Sequence, residues 1–220
     1  TVEANFMNGR VADGNARYYD SSGKLINVTM YEKGVREGAS INYFHNGAAS
    51  DSMQFSRDKE YGYWSHFDSN GNNIYKNYYY YGLPYGPEFI YENNKLKKFL
   101  FSDFNRAVIA ECFYDDSGDM DSIGWFKMNF TITDRLYKNK PVKNLFGYLP
   151  DIPNTIQSFS VGLTNKEHAV KKLYSVEGHD FFIDTLLPIP PSGWYYYLGC
   201  NLNANKDSIK KFYIEEIISR

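Results

Sequence analysis

The chain has 220 residues and a formal net charge of −2, with 24 Lys and Arg against 26 Asp and Glu. This balance argues against a nucleic-acid partner and against direct lipid binding by charge. Residues 1–120 carry 12 basic against 16 acidic residues and residues 121–220 carry 12 against 10, so neither half predicts a polyanion partner. Hydrophobic residues make up 43% of the chain and aromatic residues 18%, which is enough for packed structure.

Glycine recurs with a period of 24 residues in the first half of the chain. The first series contains Gly14, Gly38, Gly62 and Gly86, and Ala110 takes the next position. The second series contains Gly23, Gly47, Gly71, Asn94 and Gly118. Regular self-similarity of this kind is the signature of a repeat architecture.

Each period predicts two short strands and two turns. An aromatic pair such as Tyr43-Phe44 precedes an Asn-Gly turn at Asn46-Gly47, and such turns accept a positive φ. One hairpin alone is marginally stable in water, whereas a row of hairpins shares its aromatic contacts. The sequence therefore predicts a single-layer antiparallel β-hairpin meander over residues 1–120.

The repeat resembles the MORN repeat in its bacterial variant form over about residues 9–119. Tyr43-Phe44-His45-Asn46-Gly47 and Gly82-Leu83-Pro84-Tyr85-Gly86 match the family pattern of a glycine, an aromatic pair and Asn-Gly. The copy at 90–112 departs from it, because Asn94 and Ala110 replace glycines. The resemblance implies a scaffold for binding, and antitoxin-like proteins are among those that carry such repeats.

The period stops near residue 120, where the sequence predicts a domain boundary, and residues 121–220 predict a small immunoglobulin-like β-sandwich. The predicted strands span residues 123–132, 142–148, 157–164, 169–176, 180–186, 194–202 and 212–217. Pro190 to Tyr197 resembles the Pro-Gly-x-Tyr start of a late core strand in immunoglobulin-like domains. Residues 208–218 also fit a helix, but their β-branched and aromatic residues favour a strand.

The most specific cue for binding is a run of tyrosines. Tyr78 and Tyr80 are expected on one face of a strand and Tyr79 and Tyr81 on the other. One set is expected to pack and the other to be exposed. With Tyr85, the exposed rings would form an aromatic platform for a protein or a glycan. The alternative is that the tyrosines only cover the neighbouring hairpin.

The sequence predicts no catalytic residue, no cofactor and no metal ligand, because nucleophile, phosphate-loop and dinucleotide motifs are missing. The histidines His45, His66, His168 and His179 lack metal-ligand spacing. The acidic run 115–121 offers oxygen ligands but lacks the register of a calcium loop, so a polar turn is expected. Cys112 and Cys200 are expected to be buried free thiols, and a bridge between them is the alternative.

Three functions remain open on the sequence. The first is a non-enzymatic binding or scaffold protein of the bacterial cell envelope, a processed lipoprotein in the periplasm or at the cell surface. Four Asp-Ser/Thr-aliphatic tripeptides, which start at residues 51, 121, 184 and 207, resemble the O-glycosylation acceptor of exported Bacteroidetes proteins. The second is a cytoplasmic antitoxin-like neutraliser of a protein toxin. The third is a carbohydrate-binding module in the sandwich.

Overall fold

The computed structural model describes residues 1–11, 13–127, 129–167, 169–178, 181–204 and 211–218. Strands and turns make up the secondary structure of this part of the chain, and it contains no helix. The chain divides into two compact units, Thr1–Val108 and Ile109–Arg220. The prediction of an all-β fold, with a hairpin meander followed by a sandwich, is confirmed.

The strands of the first unit follow one another in an antiparallel meander. They are β1 (Val2–Glu3), β2 (Phe6–Met7), β3 (Arg10–Val11), β4 (Gly14–Tyr19), β5 (Leu25–Glu32), β6 (Val35–Tyr43), β7 (Ala49–Ser56), β8 (Lys59–Glu60), β9 (Gly62–Phe67), β10 (Asn73–Tyr80), β11 (Leu83–Glu92) and β12 (Lys95–Ser102). The order across the sheet is β1-β4-β5-β6-β7-β9-β10-β11-β12, with β8 beside β7. The short strands β2 and β3 pair with each other.

The first glycine series marks places where the strand pairing shifts. Between β5 and β6 the register changes from Thr29↔Ser40 to Tyr31↔Arg36, so that β6 bulges around Gly38. Gly38 has a φ of 95°, and a Cβ there would lie 2.9 Å from Met30 Sδ. Glycine is the residue that adopts such a backbone without strain. The 24-residue period therefore repeats a backbone requirement at each hairpin.

The second glycine series closes the turns at the other edge of the hairpins. In the turn of Asp68, the carboxylate oxygen Oδ1 accepts the backbone N–H groups of Asn70 at 2.8 Å and Asn72 at 2.9 Å. Asp20 holds its turn through Ser22 and Lys24 in the same way. The side chain thus replaces backbone partners in a sharp turn, which explains the acidic residue three positions before glycine.

The second unit contains the remaining strands. They are β13 (Val108–Tyr114, which begins at the division), β14 (Met120–Phe126), β15 (Asn129–Tyr137), β16 (Lys140–Leu149), β17 (Thr155–Asn165), β18 (Val170–Gly178), β19 (Phe181–Leu187), β20 (Trp194–Ala204) and β21 (Lys211–Ile218). The strands β13 and β14 form a hairpin. The other strands form two sheets, in the orders β15-β16-β19 and β18-β17-β20-β21.

These two sheets form a sandwich with a shared apolar core. Phe130 of β15 stacks on Phe159 of β17 with ring centroids 4.6 Å apart. Leu145, Leu198 and Leu202 are completely buried. The first, second and fifth strands of the sandwich lie in one sheet and the rest in the other, so the chain crosses between sheets as in immunoglobulin-like folds.

A tyrosine corner stands at the start of β20. The hydroxyl of Tyr196 donates a hydrogen bond to the carbonyl oxygen of Pro188, which lies in the connection between β19 and β20. Tyr196 is 4% exposed. This bond ties the connection to a core strand, as in immunoglobulin-like sandwiches. It agrees with the strand start predicted from Pro190 to Tyr197.

One predicted strand is wrong in its bounds. Residues 123–132 belong to two strands, because β14 ends at Phe126 and β15 begins at Asn129. The strand β14 pairs with β13 and β15 pairs with β16, so the chain changes sheet within the predicted strand. Residues 211–218 form a strand, as favoured over a helix.

The division between the units comes before the last predicted hairpin of the repeat. Within the second unit, the hydroxyl of Tyr114 in β13 donates to the carbonyl oxygen of Pro153 at 3.0 Å. The side-chain amide of Asn154 donates to the carbonyl oxygen of Gly118 at 2.6 Å. The β13–β14 hairpin is thus bonded to the segment that precedes β17 and belongs to the second compact unit, which begins at Ile109. The boundary predicted near residue 120 from the end of the repeat stays a prediction.

Candidate functional site

Five tyrosines gather on one face of the sheet in the first unit, where β9 and β10 pair. Tyr63 and Tyr78 lie directly opposite each other in the register, and their rings meet edge to face with centroids 5.2 Å apart. Tyr61, Tyr80 and Tyr81 complete the group, which we call the tyrosine cluster. Edge-to-face and tilted ring pairs are the favoured geometry for aromatic side chains.

The rings hold one another in place. Tyr61 lies 5.9 Å from Tyr80 and 5.4 Å from Tyr81, measured between ring centroids. Tyr80 and Tyr81 meet at 4.9 Å with their planes 88° apart. Such contacts restrict the side-chain rotamers before any partner arrives, which lowers the entropy lost on binding.

The cluster stays open to solvent despite these contacts. The exposed fraction is 39% for Tyr61, 40% for Tyr63, 43% for Tyr80 and 48% for Tyr81. Tyr78 at the centre is half-buried. Burial, followed by the neighbouring Tyr61, raises the pKa of the Tyr78 hydroxyl above its usual value. That hydroxyl is therefore neutral at physiological pH.

The structure separates Tyr79 from Tyr81, two residues that were predicted to share one face of the strand. Tyr79 points to the opposite face, where its ring centroid lies 5.4 Å from that of Trp64. Tyr81 does not share that face, so the prediction that paired it with Tyr79 is wrong. The strand ends at Tyr80, and Tyr81 and Gly82 form the turn with φ values of 49° and 84°. The turn redirects Tyr81 toward Tyr80 and Tyr61.

Tyr85 joins the same surface through an aromatic neighbour. Its ring stacks on that of Phe104 with centroids 3.8 Å apart, and Phe104 also contacts Tyr80 at 6.1 Å. Phe104 is 63% exposed. A small cavity of about 180 Å³ beside Tyr85 is also lined by Tyr78 and Arg106. The aromatic surface thus continues from the cluster to the turn after β12.

One cation borders the cluster. The ammonium group of Lys76 lies 4.0 Å from the ring centroid of Tyr63 and 5.8 Å from that of Phe89. A cation over an aromatic face is attracted by the ring quadrupole. Lys76 therefore adds positive charge at the edge of the tyrosine cluster.

Sequence reasoning missed Tyr61, Tyr63 and Phe104. The signal for Tyr63 was present in the repeat, because a turn at Gly71 places Tyr63 opposite Tyr78. Phe104 carried no such signal, since it lies in the degraded copy where the glycine pattern fails.

The opposite face of the sheet carries polar groups beside aromatic rings. Asp51 Oδ1 lies 2.7 Å from His66 Nδ1, and Asp51 Oδ2 accepts from Ser50 at 2.8 Å. The His66 ring stacks on that of Trp64 with centroids 4.9 Å apart. His66 is therefore a half-packed ring held by Asp51 and Trp64.

The acidic run 115–121 and the two cysteines contribute to the fold. Asp115 Oδ1 accepts the N–H groups of Ser117 and Asp119, so the acidic run forms a polar turn. Cys112 and Cys200 are free thiols and completely buried, as expected. Among the described residues, no group of three or more His, Cys, Asp or Glu is placed to hold a metal ion. His168 and His179 lie outside the described residues.

No family model matches the sequence. No curated protein matches it with significance. In the part of the chain that the structure describes, no helix is long and apolar enough to cross a membrane.

Proposed function

We propose that the chain is a non-enzymatic binding protein whose repeat sheet presents the tyrosine cluster to a protein partner. The observation that carries this proposal is the exposure of the cluster. Four rings pack against one another and yet keep 39% to 48% of their surface in solvent. Tyrosines that only covered a neighbouring hairpin would lose most of that surface. Contiguous exposed aromatic patches are typical of interaction sites.

The ring geometry favours a protein over a glycan at this surface. Tyr80 and Tyr81 stand edge to face at 88°, so they do not form the flat platform on which a sugar ring stacks. Leu83, 54% exposed, is paired with Tyr80 across β10 and β11 and adds apolar area to the same face. Rigid tyrosines surrounded by apolar and basic side chains have the composition of protein hot spots.

The proposal also includes the family of the repeat and the location of the protein in the cell. Each 24-residue period supplies two strands, a glycine bulge and an Asx-rich turn, which supports a MORN-type repeat as the scaffold. We propose the periplasm or the cell surface of a bacterium as the place of action, on the strength of the Asp-Ser/Thr-aliphatic tripeptides. A toxin found as the partner would instead favour the cytoplasmic neutraliser.

Site-specific photo-cross-linking in the native host tests the proposal. p-Benzoylphenylalanine placed at position 80 or 81 of the full chain is expected to give a discrete adduct with one protein. The matched control is position 137, because Tyr137 is also exposed (49%) but lies in the sandwich. Its adducts, if any form, are expected to differ.

The outcomes separate the alternatives. A protease-sensitive adduct at positions 80 and 81 supports a protein partner. An adduct that glycosidases remove would move the cluster to a glycan-binding role. The same adducts at position 137, or none at position 80 or 81, would refute the cluster as the binding face.

A further inference from the structure

A row of paired residues crosses one face of the first unit. Ala16, Thr29 and Ser40, which have short side chains, are paired in register on β4, β5 and β6, and Met53 of β7 continues the row. Thr29 and Ser40 are each 4% exposed. Since directly paired residues point to the same face of a sheet, the short side chains form a trough between longer neighbours.

Longer side chains flank the trough on both sides. Tyr18, Asn27 and Asn42 stand on one side, and Tyr31 and Phe55 stand on the other. Together with Thr29 and Ser40 they line a groove of about 410 Å³, which we call the polar groove. This volume falls in the range of roughly 300–1,000 Å³ that small-ligand sites occupy.

The polar groove lies on the face opposite the tyrosine cluster. Asn42 is paired with Asp51, Asp51 with His66, and His66 with Tyr75, so these side chains share one face. Tyr78 and Tyr80 alternate with Tyr79 and point the other way. The groove is therefore a separate site from the one proposed for a protein partner.

The groove is not a product of the repeat. One period later, Thr29 is replaced by Met53 and Ser40 by Trp64, and two periods later by Asn77 and Glu88. A scaffold that only stacked hairpins would tolerate the same side chains in every copy. At these two positions of the repeat, Thr29 and Ser40 are short and polar, whereas the next two copies carry longer side chains.

The polar side chains of the groove form a chain of hydrogen bonds in which each side chain donates to the next. Thr29 Oγ1 donates to Asn27 Oδ1 at 2.7 Å, and Asn27 Nδ2 donates to Asn42 Oδ1 at 2.7 Å. Asn42 Nδ2 then faces Asp51 Oδ2 at 3.4 Å. Because the Asp51 carboxylate accepts hydrogen bonds only, it fixes the orientation of both amides. Asn42 lines the groove, and its second N–H has no acceptor among the described residues, so it is available to a ligand.

A pair of tyrosine hydroxyls adds another donor. The hydroxyl oxygens of Tyr18 and Tyr31 lie 3.1 Å apart. Two hydroxyls carry two protons, and the bond between them uses one. The other O–H remains available at the edge of the groove, beside the rings of Tyr18 and Tyr31.

The groove is electrically neutral. Among the described residues that line it, Arg36 is the charged one, and its Nε lies 3.1 Å from Asp58 Oδ1. The same guanidinium lies over the Phe55 ring at 4.0 Å. A ligand that depended on a full charge would find no unpaired counter-charge in this lining, so the complementary ligand is uncharged and rich in hydroxyl groups.

We propose that the polar groove binds a neutral saccharide of one or two pyranose rings. Sugar hydroxyls both donate and accept hydrogen bonds, which suits the Asn42 amide and the Tyr18 and Tyr31 hydroxyls. The C–H face of a pyranose carries partial positive charge and packs on the negative face of an aromatic ring. Tyr18 and Tyr31, both half-buried, supply such rings beside the polar floor.

The test is a titration of the isotope-labelled full chain with cellobiose, maltose, chitobiose and mannobiose, each to about 10 mM. We expect at least one disaccharide to shift the backbone amide resonances of Asn27, Thr29 and Ser40. The variant with Tyr18→Phe and Tyr31→Phe keeps both rings and is expected to bind that sugar roughly three- to tenfold more weakly. Tyr19→Phe is the matched control, because the Tyr19 hydroxyl donates to Glu3 outside the groove.

Three results would overturn the proposal. These are the absence of groove shifts with all four sugars, equal affinity in the wild type and the double variant, and shifts confined to Tyr78, Tyr80 and Tyr81. The last result would place a glycan on the tyrosine cluster. The first two results leave the cross-links at positions 80 and 81 unaffected, so this proposal and the protein-binding proposal can fail separately.

Discussion

Asp51 and His66 join neighbouring strands through a contact of 2.7 Å between carboxylate Oδ1 and imidazole Nδ1. The two residues are paired across β7 and β9. Because the carboxylate is an acceptor only, the imidazole Nδ1 must carry the proton in this bond. The pair closes the hydrogen-bond chain that begins at Thr29 and crosses four strands.

Removing this carboxylate should destabilise the first unit. Asp51→Ala leaves His66, Asn42 and Ser50 without an acceptor, and we expect a loss of about 1–2 kcal/mol in the free energy of unfolding. Asp134→Ala is the control, since Asp134 is 84% exposed although it lies 2.8 Å from Lys143. It should cost no more than about 0.5 kcal/mol. Equal losses in the two variants, measured by denaturant unfolding, would contradict the structural role of the chain.

Acid should weaken the turns. The side chain of Asn72, and then its backbone N–H, lower the pKa of Asp68 below the usual 3.8. Hydrogen bonds in turns likewise lower the pKa of Asp20 and Asp58. A carboxyl with a lower pKa in the folded state stabilises the fold above its unfolded pKa, and this stabilisation is lost as pH falls through 3.8 toward the folded value.

Asp68→Asn tests this pH dependence, because asparagine keeps an acceptor for the turn and removes the titration. The free energy of unfolding of the wild type should fall more steeply than that of the variant between about pH 5 and pH 2. Parallel pH profiles for the two proteins would show that the Asp68 carboxylate contributes nothing to the acid sensitivity.

Both thiols should be unreactive in the folded protein. Burial raises the pKa of Cys112 and of Cys200 to about 12, and the charge of Glu111 adds to the effect at Cys112. Since the thiolate is the nucleophile, a thiol-specific disulfide reagent at about pH 8 should label the native chain far more slowly than the unfolded chain. Rapid labelling of either cysteine without denaturant would contradict its burial.

The tyrosine corner should contribute to the stability of the sandwich. Tyr196→Phe removes the hydroxyl that donates to the carbonyl oxygen of Pro188, which loses that partner. We expect a loss of about 1–2 kcal/mol in denaturant unfolding. Tyr137→Phe removes a hydroxyl from an exposed ring and should be close to neutral. A neutral Tyr196→Phe would mean that the bond does not secure the connection between β19 and β20.

The repeat was predictable because its backbone requirement is local. Gly38 and Gly62 adopt φ values of 95° and 90°, and a residue that must accept such a backbone recurs at each period. The strand that carries the tyrosine run was also predictable, because the glycine turns on either side of it are local features of the sequence. The position of Tyr81 was not, because alternation holds only while the strand continues, and the strand ends at Tyr80.

The polar groove could not be read from the sequence alone. It depends on the register that sets Thr29 opposite Ser40 and on the sizes of the side chains on either side of that pair. Register is fixed by the bulge at Gly38, which shifts the pairing within one hairpin. The change of sheet between β14 and β15 was also hidden, because only two residues separate the strands and neither is a Gly or a Pro.

The most direct test of the account is the affinity of the full chain for the partner that cross-links at position 80 or 81. Tyr61→Ser combined with Tyr81→Ser removes two exposed rings of the tyrosine cluster, and Tyr137→Ser removes a ring of similar exposure from the sandwich. We predict that the double variant loses at least about tenfold in affinity and the control less than about twofold. An unchanged affinity in a folded double variant would show that the tyrosine cluster is not the binding face.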